Sequence, residues 1–112
     1  MTVTETIEGK ICILELDGRF DINQVDMFNK IIRDALDRKF LQIVLDCNKM
    51  NFISSAGLRI LILTQQTLSE TNGSVVLFGL NANTKRIFEI TGYKKLFTIC
   101  DNRIDAIAYF GV

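Results

Sequence analysis

Two neighbouring hydroxyls, Ser54 and Ser55, stand where an apolar, strand-like run gives way to an amphipathic, helix-like one. The segment reads Asp46-Cys47-Asn48-Lys49-Met50-Asn51-Phe52-Ile53-Ser54-Ser55-Ala56-Gly57-Leu58-Arg59. A serine at such a junction caps the new helix through its Oγ. A phosphate placed there would meet free backbone N–H groups and the positive end of the helix dipole. That chemistry suits a covalent switch on a serine better than catalysis by one. The chain contains no histidine, so a Ser–His mechanism is excluded within it.

Other chemistries are less well supported by the residues. Asp21 and Asp46 each follow a strand-like run, and two carboxylates brought together would support acid–base work. The plainer reading has Asp21 starting a helix and Asp46 ending a strand, and it is preferred. No nucleotide loop is present: Gly9-Lys10 is followed by Ile11, and Gly57 stands alone. Asn48-Lys49-Met50-Asn51 resembles a guanine-recognition NKxD, but its final acid is missing and no phosphate loop accompanies it. Cys12, Cys47 and Cys100 are widely spaced and form no CxxC, and without histidine they are too few soft ligands for zinc. They read as small apolar core residues of a reducing compartment. No metal, cofactor or enzymatic activity is expected.

The elements that must position the serines follow from composition and periodicity. With 48% hydrophobic residues in 112, the chain has material for one core, and a single domain over 1–112 is expected. Thirteen basic residues balance thirteen acidic ones, which leaves no basic field to hold nucleic acid or an anionic membrane. No apolar run approaches the roughly 18–20 residues of a membrane span. Met1-Thr2-Val3-Thr4-Glu5-Thr6 lacks the basic start and apolar stretch of a secretory signal, so a cytoplasmic location is expected.

Thr2 to Ile7 is β-branched and suits a strand near an edge, turned at Glu8-Gly9 into a second strand over Lys10–Asp17. Gly18 to Asn23 breaks that pattern, and Asp21 or Asn23 caps a helix whose inner stripe is Val25, Phe28, Ile32, Ala35 and Leu36. Leu41 to Cys47 reads as a strand covered on both faces. A seven-residue loop then leads to a helix over Ala56–Glu70, with Leu58, Leu61, Ile62 and Leu68 inward and Gly73 as its left-handed C-cap. Ser74–Leu80 is another buried strand. Asn81 or Asn83 opens a short helix with Ile87, Phe88 and Ile90 inward, stopped at Thr91-Gly92. Leu96–Cys100 and Asn102–Tyr109 supply a last strand and helix. The order β-β-α-β-α-β-α-β-α implies an α/β fold with a mixed, mainly parallel sheet, an N-terminal hairpin and four helices.

The segment Phe52-Ile53-Ser54-Ser55-Ala56-Gly57-Leu58-Arg59-Ile60-Leu61 resembles the phosphoacceptor segment of the STAS domain family, specifically its small single-domain anti-sigma factor antagonists. Leu16-Asp17-Gly18-Arg19-Phe20-Asp21 is similar to that family's glycine-turn-aspartate, and the element order agrees along almost the whole chain. The resemblance implies that a serine three positions before the leucine, here Ser55, is phosphorylated by a partner that is both anti-sigma factor and serine kinase. It further implies that the unphosphorylated form binds that partner and frees a sigma factor, and that a separate serine phosphatase resets the switch. Asp21 matches the family's aspartate near the acceptor. Asn23, Ser54, Ala56, Gly57 and Arg59 complete the implied partner-binding patch, and Arg59, four residues after Ser55, is placed to pair with a phosphate.

The sequence departs from the best-known members, which carry Asp-Ser-Ser-Gly-Leu-Gly. Ser54 replaces the aspartate, Ala56 the second serine and Arg59 the last glycine, so Ser54 remains a competing acceptor. A STAS accessory subunit of a transporter or larger signalling assembly is the alternative function. A monomer or weak dimer is expected.

Overall fold

The computed structural model describes residues 1–111. Over that range the chain forms β1 (Thr2–Glu8), β2 (Ile11–Phe20), α1 (Val25–Asp37), β3 (Gln42–Ile53), α2 (Ser55–Glu70), β4 (Ser74–Phe78), α3 (Ala82–Thr91), β5 (Thr98–Cys100) and α4 (Arg103–Tyr109). Short 3-10 turns lie at Ile22–Gln24 and Tyr93–Leu96. The α/β fold and its element order are those the periodicity predicts. One sheet runs β1-β2-β3-β4-β5, with β1 antiparallel to β2 and the remaining pairs parallel.

Each new parallel strand is added on the same side of the last. Right-handed crossovers must then place α1, α2 and α3 on one face of the sheet. Phe28 and Ile32 of α1, Leu61 and Leu68 of α2 and Phe88 of α3 accordingly pack on Leu14, Leu16, Ile43, Leu45, Val75 and Leu77. On the opposite face Ala106 of α4 covers Ile11, Ile13, Val44, Val76 and Phe78. Burial on both faces is why β3 and β4 read as almost unbroken apolar runs.

Both central strands run further than expected at their carboxyl ends. β2 passes through Gly18 to Phe20, and β3 continues through the residues expected to form a loop, as far as Ile53. The pairing steps from Glu15–Asp46 to Asp17–Lys49, and from Gly18–Met50 to Arg19–Phe52, so β3 carries an extra residue at each of two bulges. Gly18 takes φ +113, a conformation that removes it from the regular alternation.

Three smaller expectations are also corrected. Asn72, at φ 62, adopts the left-handed conformation after α2. Gly73 instead lets the chain pass close, since a Cβ there would lie 2.7 Å from the Leu41 carbonyl oxygen. Ile90 is 74% exposed, because Thr84 and Phe88, four apart, define the inner stripe of α3 and Ile90 falls off it. Leu96 closes a 3-10 turn, and Phe97 takes the buried position before β5.

Candidate functional site at the carboxyl ends of β2 and β3

The register sets Phe20 opposite Ile53, so the two chain segments leave the sheet side by side. The Ser54 N–H donates to the Phe20 carbonyl at 2.9 Å, tying the start of α2 to the end of β2. Immediately after Phe20, Asp21 turns the chain through a reciprocal cap. Its carboxylate accepts from the Asn23 N–H at 2.9 Å, while the Gln24 side-chain oxygen accepts from the Asp21 N–H at 2.9 Å. The other Asp21 oxygen lies 3.9 Å from Arg19 Nε, and the Arg19 guanidinium rests 4.2 Å above the Phe52 ring.

The two serines, equivalent in the sequence, have different surroundings. Ser54 is the N-cap: its backbone is extended and its Oγ accepts from the Gly57 N–H at 3.2 Å. Ser55 is the first residue of α2, and it is exposed while Ser54 is half-buried. Arg59, one turn on, is also exposed and makes no ion pair among the described residues. Ser55 and Arg59 line the same groove.

Gly57, expected in the partner-facing patch, is buried. A Cβ at that position would lie 2.7 Å from the Phe20 carbonyl oxygen and 2.8 Å from Ile53 Cγ1. The glycine therefore seats the helix against the ends of β2 and β3, and so fixes where Ser55 stands. Ala56 is half-buried beside it, and Asn23 is exposed on the neighbouring turn. Asp21, Asn23, Ser54, Ala56 and Arg59 are thus gathered around Ser55 by two adjacent strand ends.

Asp46 is not part of this group. It pairs in register with Glu15, six residues before Asp21 along β2, which separates the two by roughly 20 Å at strand rise. Its Oδ1 accepts from both the backbone N–H and the side-chain amide of Asn48, at 3.0 and 2.9 Å. It stabilises a bulge, and the paired-carboxylate reading fails on distance.

Burial pushes the Cys12 and Cys47 thiols up to about 12, aided by the charges of Glu5 and Asp46 respectively, so neither is nucleophilic near neutrality. Among the described residues no cluster of His, Cys, Asp and Glu is arranged to hold a metal ion. In the same range no helix is long and apolar enough to cross a membrane.

Three residues at the site escaped the sequence reading. Arg19 and Phe52 meet only because β3 carries two extra residues, which periodicity does not reveal. Ile22, 72% exposed, sits between the capping residues Asp21 and Asn23. An apolar residue inside a polar cap signature was the available sign of it.

Known proteins share this fold. The chain is 35% identical, over 106 residues, to the candidate anti-sigma factor antagonist BtrV of Bordetella bronchiseptica, a match spanning 95% of this chain and 90% of that protein. Its fold is similar to that of the Thermotoga maritima protein TM1081, with a TM-score of 0.90, 20% identity and coverage of 96% and 92%. It is also similar to the Bacillus cell fate determinant SpoIIAA in its phosphorylated form, with a TM-score of 0.75, 15% identity and coverage of 97% and 99%. The model of the STAS domain matches residues 2–106. With that match over nearly all its length, this chain belongs to the STAS domain family.

Proposed function

We propose that this chain is an anti-sigma factor antagonist whose binding is switched off by phosphorylation of Ser55. The observation that carries the reading is the division of labour between the serines. Ser54 spends its hydroxyl on capping α2, while Ser55 stands exposed at the first position of the helix. BtrV, named for the same role, supports it.

In the unphosphorylated state the surface around Ser55 binds an anti-sigma factor that is also a serine kinase, and a cytoplasmic sigma factor is freed. The kinase supplies the ATP, and this chain is substrate and binding module. Phosphate transfer to Ser55 adds about 1.5 to 2 negative charges. Within the domain that charge is tolerated, because the helix dipole and Arg59 favour it. At the partner surface an unmatched, desolvated dianion would cost several kcal/mol, equivalent to a 100-fold or larger loss of affinity. A serine phosphatase then restores the binding form. Asp21 lies next to the acceptor segment and orients the acceptor or meets the partner.

Intact-mass spectrometry with site mapping on protein recovered from its native cells, together with identification of what co-purifies, tests the reading. A single phosphate on Ser55, a kinase on the unmodified form only, and near-equal melting temperatures for the two forms are expected. Ser55→Ala should lose modification and keep the partner. Continued phosphorylation of that variant would move the acceptor to Ser54. Recovery of a transporter or signalling scaffold, with no phosphate in any growth state, would favour an accessory-subunit role instead.

A further inference from the structure

β1 is an open edge of the sheet. Only β2 lies beside it, and among the described residues its main chain makes no hydrogen bond outside that pairing. The two-residue turn Gly9-Lys10, with Gly9 at φ +58, closes the hairpin on the facing pair Glu8 and Ile11. The pair next to such a turn is a hydrogen-bonded one, and hydrogen-bonded pairs alternate along an antiparallel ladder. Thr2, Thr4, Thr6 and Glu8 therefore spend their main-chain groups on β2. The N–H and C=O groups of Val3, Glu5 and Ile7 point away from the sheet, toward solvent.

Edge strands commonly carry a lysine, a proline or a bulge that discourages further pairing. β1 has none of the three: it reads Thr2-Val3-Thr4-Glu5-Thr6-Ile7-Glu8, and its register with β2 is unbroken. Every residue except Glu5 and Glu8 is β-branched. Both glutamates are already paired, Glu5 with Arg38 and Glu8 with Arg103 at 2.9 Å. The opposite edge of the sheet, β5, is only 3 residues long.

We propose that β1 pairs antiparallel with β1 of a second copy of this chain, joining the two sheets edge to edge. One register uses both strands over their full length: Val3 opposite the second copy's Ile7, Glu5 opposite Glu5, and Ile7 opposite Val3. These are the residues with outward main-chain groups, so each pair exchanges two hydrogen bonds. The side chains agree with that register. Ile7, 42% exposed in one copy, is covered by Val3 of the other, and Thr4 meets Thr6 on the opposite face. Two Glu5 carboxylates would repel at the dyad, but an Arg38 from each copy makes the centre a balanced set of charges. Recognition here is by main chain, which is why side-chain charges already spent within each copy suit it. The contact is isologous and closes on itself, so it makes a dimer and not a fibre. β2 of one copy runs opposite to β2 of the other. The two Ser55 sites therefore stand at opposite ends of the joined sheet, and neither is covered.

Sedimentation equilibrium and amide hydrogen exchange on the full chain, at about 10 μM and about 1 mM, test the pairing. Wild type should pass from monomer to dimer between those concentrations, because one strand per copy buries less than the about 1,200 Å² of a tight complex. On concentration, exchange should slow at Val3, Glu5 and Ile7 and change little at Thr4, Thr6 and Glu8. Ile7→Lys places a charge opposite Val3, and Ile7→Pro removes an outward N–H while sparing the ladder to β2. Each should raise the dimer dissociation constant by about 10-fold or more. Ile104→Lys, the same change at a 79% exposed site on α4, is the control and should stay within about twofold of wild type.

A wild type that remains monomeric at about 1 mM would overturn the inference. So would a dimer that survives both Ile7 variants, or one whose slowed exchange does not alternate along β1. The phosphate switch stands or falls separately, because Ser55→Ala should leave the self-association unchanged.

Discussion

The region where α1 ends and the region where α2 begins treat their polar groups in opposite ways. At the first, side chains satisfy one another. Arg38 grips both oxygens of Glu5, bonds Asp34 at 3.0 Å and lies 5.2 Å over the Phe40 ring, while the Cys12 thiol donates to Glu5 at 3.5 Å. At the second, side chains bond mostly to the main chain. Ser54 N–H meets the Phe20 carbonyl, two caps close the turns, and among the described residues the exposed side chains of Ser55 and Arg59 make no hydrogen bond or ion pair, with Ile22 exposed nearby. A surface that only maintains the fold can consume its charges internally. A surface that must greet a partner needs a rigid backbone and uncommitted side chains.

The sharpest way to break that contrast is to disturb the main-chain seat. Gly57→Ala forces a methyl against the Phe20 carbonyl oxygen and should destabilise by about 1–3 kcal/mol in urea titration. A loss under about 0.5 kcal/mol would mean that α2 is not held by this approach. Next comes the serine pair. Ser54→Ala should cost about 1 kcal/mol through the lost cap, whereas Ser55→Ala should stay within about 0.5 kcal/mol. Equal costs would erase the distinction between the capping serine and the uncommitted one.

The smallest effect belongs to the other region. The Arg38 guanidinium holds the Glu5 carboxyl below its usual value of 4.5. A depressed carboxylate pKa stabilises the fold above the unfolded value, and the contribution is lost as pH falls through the folded one. Glu5→Gln should therefore melt at most a few degrees below wild type at pH 7, since the pair is solvent-exposed. The two curves should converge once the pH has fallen through the lowered pKa of Glu5.

What could be read from the residues alone follows the same division. Ile43-Val44-Leu45 and Val75-Val76-Leu77 announce doubly covered strands because nothing polar interrupts them. The stripe Phe28, Ile32, Ala35 announces α1 just as plainly. Asn48, Lys49 and Asn51 concealed the continuation of β3, since a bulged strand end carries exposed polar residues as a loop does. The Arg19–Phe52 contact was hidden for the same reason. Gly73 and Asn72 exchanged roles because a glycine marks either a left-handed turn or a close approach, and only packing distinguishes them. The serine junction itself was legible from the cap chemistry. Which hydroxyl was free depended on a single hydrogen bond to the Gly57 N–H.

Glu8 and Arg103 stand 95 positions apart in the chain and meet at 2.9 Å, joining the first strand to α4. The sheet face bearing Ile11, Ile13, Val44, Val76 and Phe78 is thus roofed by residues that leave the ribosome long after the strands do. Until α4 emerges, the nascent chain carries a bare apolar sheet face on one side and the three packed helices on the other. Chaperones capture surfaces of that kind. A chain cut before Arg103 should therefore be cleared by proteolysis rather than persist partly folded.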